Sequence, residues 1–240
     1  MKENEFPMRL NKFLAVKGFA TRRGADTLIE KKQVFVNGKM AVLGQKVAET
    51  DRVEIKNHKP VEHRYVLYYK PRGIITHSPA QGETDIASDI LTRHGLTGLF
   101  PVGRLDKDSE GLMVLTDDGR ITERILNPEK NHEREYEITV DKRVTQTFLN
   151  GMSKGVRIEG YMTKPARAER APHSEYVFTI TLTEGKKHQV RRMCAALGYQ
   201  VTQLKRTRML HFTLKALKPG AVYALRAKEI HFLNESLGLH

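Results

Sequence analysis

Apolar positions recur along this chain with two different periods, and the change of period marks its architecture. Leu10, Phe13, Leu14 and Val16 fall at the three- and four-residue spacing of one helical face, and Gly18 closes the segment. A second helix is expected to start at Thr21, whose hydroxyl can accept from the free first-turn amides, and to run through Ala25, Leu28 and Ile29 to Lys32. The period then drops to two. Val34-Phe35-Val36, Asn37-Gly38 and Met40 to Val42 read as a hairpin, because Asn-Gly accepts the positive φ angles that a tight turn demands, and Val53 to Ile55 adds a third strand. These segments predict a small ααβ unit over residues 1–57.

Residues 58–64 carry a proline, polar side chains and no periodicity, the mark of a linker. Beyond it, residues 65–240 read as one larger unit. Strands are expected at Tyr65 to Tyr69, Gly111 to Leu115, Tyr136 to Val140, Tyr176 to Leu182 and Val222 to Leu225, with helices at Ile121 to Leu126, Thr145 to Met152 and Val190 to Leu197. Strands outnumber helices without a regular βαβ alternation, which predicts an α+β fold with a mixed, largely antiparallel sheet.

Charge changes the picture. The 240 residues hold 41 Lys and Arg against 28 Asp and Glu, a formal net charge of +13, so a polyanionic partner is expected and nucleic acid is the first candidate. No apolar run approaches the roughly 20 residues of a membrane-spanning helix, and the first eight residues lack the apolar stretch of a signal peptide. The single cysteine, Cys194, excludes an internal disulfide framework and a CxxC zinc site; between Met193 and Ala195 it reads as a packed thiol. A soluble cytoplasmic protein fits these features.

Against that basic background the run from Gly103 to Leu112 stands out, because Asp106, Asp108 and Glu110 precede an apolar strand. A carboxylate beside such a strand is costly to bury unless paired or hydrogen-bonded, so chemistry is a better account of it than solubility. Asp106, Asp108, Glu110, Gly111 and Asp117 match positions 1, 3, 5, 6 and 12 of a calcium loop, but Pro101 and Gly103 sit where an entering helix should run. Paired carboxylates also suit glycosidic cleavage or a magnesium-dependent nuclease. The residue types alone leave these open.

Longer motifs narrow the choice. Arg9-Leu10-Asn11-Lys12-Phe13-Leu14, Ala20-Thr21-Arg22-Arg23 and Val34-Phe35-Val36-Asn37-Gly38 resemble the S4 RNA-binding module, with Thr21 replacing its usual serine. Phe100 to Leu112 resembles the catalytic motif of the RsuA/RluB/RluE/RluF family of pseudouridine synthases. Further landmarks follow that family's pattern: Tyr69-Lys70-Pro71-Arg72-Gly73, Arg134-Glu135-Tyr136, Gly185 to Met193 and Leu204-Lys205-Arg206-Thr207-Arg208.

The resemblance implies isomerisation of uridine to pseudouridine in ribosomal RNA, with no cofactor and no metal. It assigns Asp106 as the carboxylate acting on the sugar, Arg191 as the guanidinium that keeps it ionised, and Tyr136 as the ring that stacks on uracil and helps move the C5 proton. It further implies substrate contacts from Lys70, Arg104, Arg192, Leu204 and Arg206, and RNA contacts from Arg9, Lys12, Arg22 and Arg23. His188 reads as a surface or RNA-backbone residue. Residues 131–136, 151–156 and 206–209 are most similar to the RluF members, which implies a monomer acting on 23S rRNA or on a ribosome-assembly intermediate. RsuA-like 16S specificity is the alternative within the family, and a non-catalytic RNA-binding assembly factor is the alternative outside it.

Overall fold

The computed structural model describes residues 6–56, 62–77, 80–214 and 217–239. The N-terminal unit runs β1 (Met8–Arg9), α1 (Leu10–Val16), α2 (Arg22–Glu30), β2 (Val34–Val36), β3 (Lys39–Met40), β4 (Lys46–Val47) and β5 (Val53–Ile55). The Thr21 hydroxyl accepts from the Gly24 amide at 3.0 Å, the cap expected from its position. Asn11 donates to both carboxylate oxygens of Asp26, at 2.9 and 3.1 Å, and so ties α1 to α2. Asn37 and Gly38 both have positive φ, 51° and 75°, and turn β2 back into β3. The second arm is shorter than its sequence suggests: after Met40 the chain buries Ala41 and leaves Val42 and Leu43 exposed. Leu10, Leu14, Ala25, Ile29, Val34 and Val47 form the core of this unit.

Residues 57–61, which include most of the expected linker, lie outside the described residues. At its far end, Arg64 donates from its backbone amide and Nε to Asp117, at 3.0 and 2.8 Å.

The larger unit continues with β6 (Tyr65–Lys70), α3 (Ile86–His94), β7 (Phe100–Pro101), β8 (Glu110–Thr116), α4 (Arg120–Leu126) and β9 (Arg134–Val140). Next come α5 (Gln146–Lys154), β10 (Arg157–Ile158), β11 (Tyr161–Met162), β12 (Arg167–Arg170), β13 (Val177–Leu182), α6 (Gln189–Ala196) and β14 (Val201–Met209). The chain closes with β15 (Phe212–Thr213), β16 (Val222–Ala224) and α7 (Ala227–Ser236). The main sheet has the order β12-β13-β9-β14-β8-β6-β16, with β15 paired to β14 and β7 to β8. Its described pairings are antiparallel except β14 with β8, where Lys205 faces Glu110 and Arg206 faces Gly111. The fold is α+β, with a mixed, mostly antiparallel sheet.

Burial explains why the two halves of this sheet look different in sequence. β6 and β8 are covered on both faces: Leu67, Leu112 and Val114 pack with Ile121, Ile125 and Leu233, while Val66, Tyr68, Met113 and Leu115 pack with Ile86 and Ile90. Both strands are accordingly continuous apolar runs. β9 and β13 bury only one face, Ile138, Phe178 and Ile180 against Phe148, Met152 and Met193, so they alternate.

β14 joins the halves, and the hydrophobic pattern does not announce it. Its sequence is mostly polar, register shifts at Val201/Gln203 and Arg206/Arg208 interrupt its alternation, and one of its inward residues is the buried Arg206. Gly111 allows the junction. With φ of 117°, its missing side chain leaves space that the Arg206 backbone occupies.

Candidate active site

A cavity of about 660 Å³ opens at the β8/β14 junction. Its lining brings together Asp106, Tyr136, Arg191, Arg104, Leu204 and Arg206. Asp106 stands on the loop between β7 and β8, and several bonds hold that loop. The Thr76 hydroxyl donates to Leu105 O at 2.6 Å and accepts from Leu105 N at 3.1 Å, while Ser109 N donates to Asp106 O at 3.0 Å. From below, Lys70 Nζ donates to Ser109 O at 2.7 Å and Pro71 O at 3.0 Å. Burial draws the Lys70 ammonium down to about 8 against the opposing pull of Asp106, Asp108 and Glu110. Lys70 is thus fully buried beneath the loop rather than on the cavity wall.

The opposite wall comes from β9 and β14. Tyr136 is half-buried against the Ile138 cluster, and Leu204 is buried two strands' width from β13 on the same core. Arg206 Nε donates to Leu112 O at 2.6 Å, clasping β8 from β14. Arg134, which the sequence reading treated only as part of a motif, is buried and lines the cavity, donating to Ile125 O at 2.9 Å. Burial weakens its hold on its proton, and the charge of Arg206 adds to that effect. The outer rim carries Arg104, which is exposed.

The third wall is the turn that leads into α6. Glu184 is buried and accepts from Tyr161 OH at 2.5 Å, Lys164 N at 3.0 Å and Gln189 Nε2 at 2.7 Å; Gln189 Oε1 in turn accepts from Lys186 N at 2.9 Å. This bonded frame presents His188 and Arg191. Arg191 donates to Val201 O at 3.2 Å, Ser109 Oγ at 3.4 Å and Asp108 O at 3.5 Å. Its guanidinium therefore grips the backbone of the aspartate loop, where the family resemblance implies a direct pair with Asp106. Among the described residues, the basic side chain found within 4 Å of the Asp106 carboxylate is His188, whose Nε2 lies 3.4 Å from Oδ1. Arg192 points elsewhere, pairing with Glu159 at 2.6 Å, and does not line the cavity.

The calcium-like spacing dissolves in three dimensions. Glu110 opens β8 and accepts from Tyr69 OH at 3.1 Å, whereas Asp117 lies beyond its far end, about 20 Å along an extended strand, paired with Arg64. No cluster of three or more His, Cys, Asp or Glu side chains suited to a metal occurs among the described residues. Cys194 is buried, and burial pushes its thiol up to about 12, so it packs rather than reacts. On the N-terminal unit Arg9, Arg22 and Arg23 are exposed and Lys12 is half-buried; none is in an ion pair among the described residues. Thr76 and Glu184 also hold this site, with no motif to announce them, whereas Arg134 and Gln189 lie within motifs quoted above for other residues. His188, expected as a surface or RNA-backbone residue, lies against Asp106.

Known proteins are similar to this chain in sequence and fold. Residues 8–53 match the S4 domain, and residues 64–196 match the RNA pseudouridylate synthase family. The dual-specificity RNA pseudouridine synthase RluF of Escherichia coli strain K12 is 40% identical over 219 residues, 89% of this chain and 73% of its own. Ribosomal large subunit pseudouridine synthase B of Bacillus subtilis is 34% identical over 235 residues, covering 92% of this chain and 93% of its own. A crystal structure of a pseudouridylate synthase superposes with a TM-score of 0.68 at 30% identity, covering 94% of this chain and 99% of that one. With an S4 match followed by a synthase match over more than half of its length, the chain belongs to the RNA pseudouridylate synthase family.

Proposed function

We propose that this enzyme converts uridine to pseudouridine in ribosomal RNA, with 23S rRNA of the large subunit as its substrate. The observation that carries the reading is the meeting of Asp106, Tyr136 and Arg191 in one cavity that apolar Leu204 and basic Arg104, Lys186 and Lys187 also line. Isomerisation breaks the bond between C1′ and N1, turns the uracil and rejoins it through C5, while the C5 proton leaves and N1 gains one. Nothing is consumed, so no cofactor enters.

In this reading Asp106 is the carboxylate that acts on the sugar, as nucleophile at C1′ or as base. Arg191 acts through the loop that carries it, fixing the Ser109 and Asp108 backbone. Tyr136 stacks on the uracil and offers its hydroxyl near C5, and Leu204 forms the apolar floor under the ring. The target base must leave its stack to reach the cavity; exposed Arg104 at the rim provides positive charge near its phosphates, while buried Arg206 fixes the wall through Leu112 O. The exposed cations of the S4 unit hold the flanking RNA. Lys70 supports the loop from below, and Arg192 steadies α6 through Glu159 unless RNA displaces that partner.

No helix among the described residues is long and apolar enough to cross a membrane. We place the enzyme in the cytoplasm, as a monomer working on rRNA or on an assembling subunit. The name of the Bacillus subtilis relative favours the large subunit. The deciding experiment maps pseudouridines across rRNA from cells with and without the protein. One 23S position should lose its modification and regain it with the wild-type gene but not with Asp106→Asn. Loss at a 16S position would move the substrate to the small subunit, and no change at any position would leave a non-catalytic assembly factor.

A further inference from the structure

His188 occupies a place that its exposure alone does not explain. It is the residue before α6, it holds φ of 50°, and its side chain makes no capping bond to that helix. A left-handed conformation at a residue other than glycine is uncommon and requires surroundings that enforce it. Here the enforcing frame is the Glu184 to Gln189 bond and the return bond from Gln189 to Lys186 N, which together close the turn. The product of that geometry is an imidazole whose Nε2 stands 3.4 Å from Asp106 Oδ1.

The charges around it sharpen the pairing. Lys186 and Lys187 on the same turn, Arg191 on α6, Arg104 and Lys107 on the aspartate loop and His77 after β6 all line the same cavity. Lys186 lies over the Tyr161 ring at 4.5 Å, and Lys107 is paired with Glu83 at 2.7 Å. The cavity's other carboxylate, Glu184, is already bonded to Tyr161 and Gln189. Asp106 is therefore the lining carboxylate not already bonded within the turn, and of these basic side chains His188 is the one within 4 Å of it among the described residues, Arg191 being bonded to the loop backbone.

We infer that His188 is a positioning residue for Asp106: its imidazole, 3.4 Å from the carboxylate, holds that group aimed into the cavity before the nucleotide enters, while Arg191 holds the loop. The inference rests on the assignment of Asp106 as the reacting carboxylate. Both side chains remain partly exposed, so the incoming sugar can displace the ring without breaking a buried pair.

The test uses the full-length enzyme, a short rRNA stem-loop containing the mapped uridine, and single-turnover rates at saturating enzyme from pH 6 to 8.5. His188→Gln should react about tenfold more slowly than wild type, and RNA affinity should stay within about twofold. His188→Arg, which keeps a basic group beside the carboxylate, should restore most of the rate. Equal rates for His188→Gln and wild type at every pH would overturn the inference. A weakened RNA affinity with an unchanged saturated rate would also overturn it, making the imidazole a phosphate contact instead. Asp106→Asn is measured alongside: if it remains active, the assignment of the carboxylate falls and this inference falls with it, whereas failure of the His188 variants alone leaves that assignment standing.

Discussion

Positive charge is used in opposite ways by the two parts of the molecule. On the S4 unit Arg9, Lys12, Arg22 and Arg23 lie on or beside two short helices, exposed or half-buried, with no carboxylate partner among the described residues. In the catalytic domain Lys70, Arg134 and Arg206 are 0%, 7% and 2% exposed, and each donates to backbone carbonyls: Ser109 and Pro71, Ile125, and Leu112. Unpaired surface cations attract any phosphate in reach, and each contributes an increment that its neighbours can replace. Buried cations bonded to carbonyls fix where loops and strands sit, and no neighbour can take over that geometry. Affinity should therefore be distributed, and chemistry concentrated.

The largest expected effect tests concentration. Asp106→Asn keeps the side-chain volume and removes the charge, so pseudouridine formation should fall by at least about 10³-fold while RNA binding changes little. Gel-shift and single-turnover assays on one preparation would read both. Distribution is tested by replacing Arg9, Lys12, Arg22 and Arg23 together with alanine. Affinity should drop about a hundredfold at moderate salt, and the slope of log K against log salt should shrink by about 3, at about 0.7 for each of the four phosphates no longer neutralised. The rate at saturating RNA should hold. A single member of that set carrying the whole effect would break the comparison.

Stability provides the next contrasts. Gly111→Ala has no room beside the Arg206 backbone and a φ of 117°, so a loss of about 3 kcal/mol or more is expected from thermal or denaturant unfolding. Asp118 sharpens the difference through pH. Its burial opposes ionisation, but hydrogen bonds from Arg120 and Tyr65 outweigh burial and hold its carboxyl below the ordinary value. A carboxyl lower in the folded state stabilises above its unfolded value, near 4, and that stability is lost as pH falls further. Asp118→Asn should thus cost about 2 kcal/mol at neutral pH and progressively less below about pH 4. The smallest effect belongs to the S4 hairpin, where Gly38→Ala meets open space and only its φ of 75° is strained, at about 1 kcal/mol.

The same contrast explains what sequence reading recovers. Thr21, Asn37-Gly38 and the α1 periodicity act through residues three or four apart, so the local pattern states the local structure. β6 and β8 are legible because both of their faces are buried. β14 is hidden because its inward Arg206 is a charge and its register shifts break the period. α3 carried signals that went unused: Asp85 accepts from Ser88 N at 2.8 Å, and Gly95 ends the helix with φ of 64°. β12 is an exposed edge of RAER, which offers no apolar pattern at all. Asp106, Tyr136 and Arg191 are singled out by motif; Arg134 and His188 lie in the same motifs, but their contacts with Ile125 and Asp106 depend on segments brought together by the fold.

The parallel pairing of β8 with β14 has a bearing on how the enzyme is made. Lys205 and Glu110 are about 95 residues apart in the chain, and pairings of such long separation form late in folding. During synthesis the S4 unit, complete by Ile55, can fold and capture RNA long before Arg206 and Met209 leave the ribosome. Until then the Asp106 loop lacks the wall that Leu204 and Arg206 supply, and Gly111 faces nothing. The cavity around Asp106 thus cannot be complete before β14 is in place, long after the last strand of the S4 unit has been made.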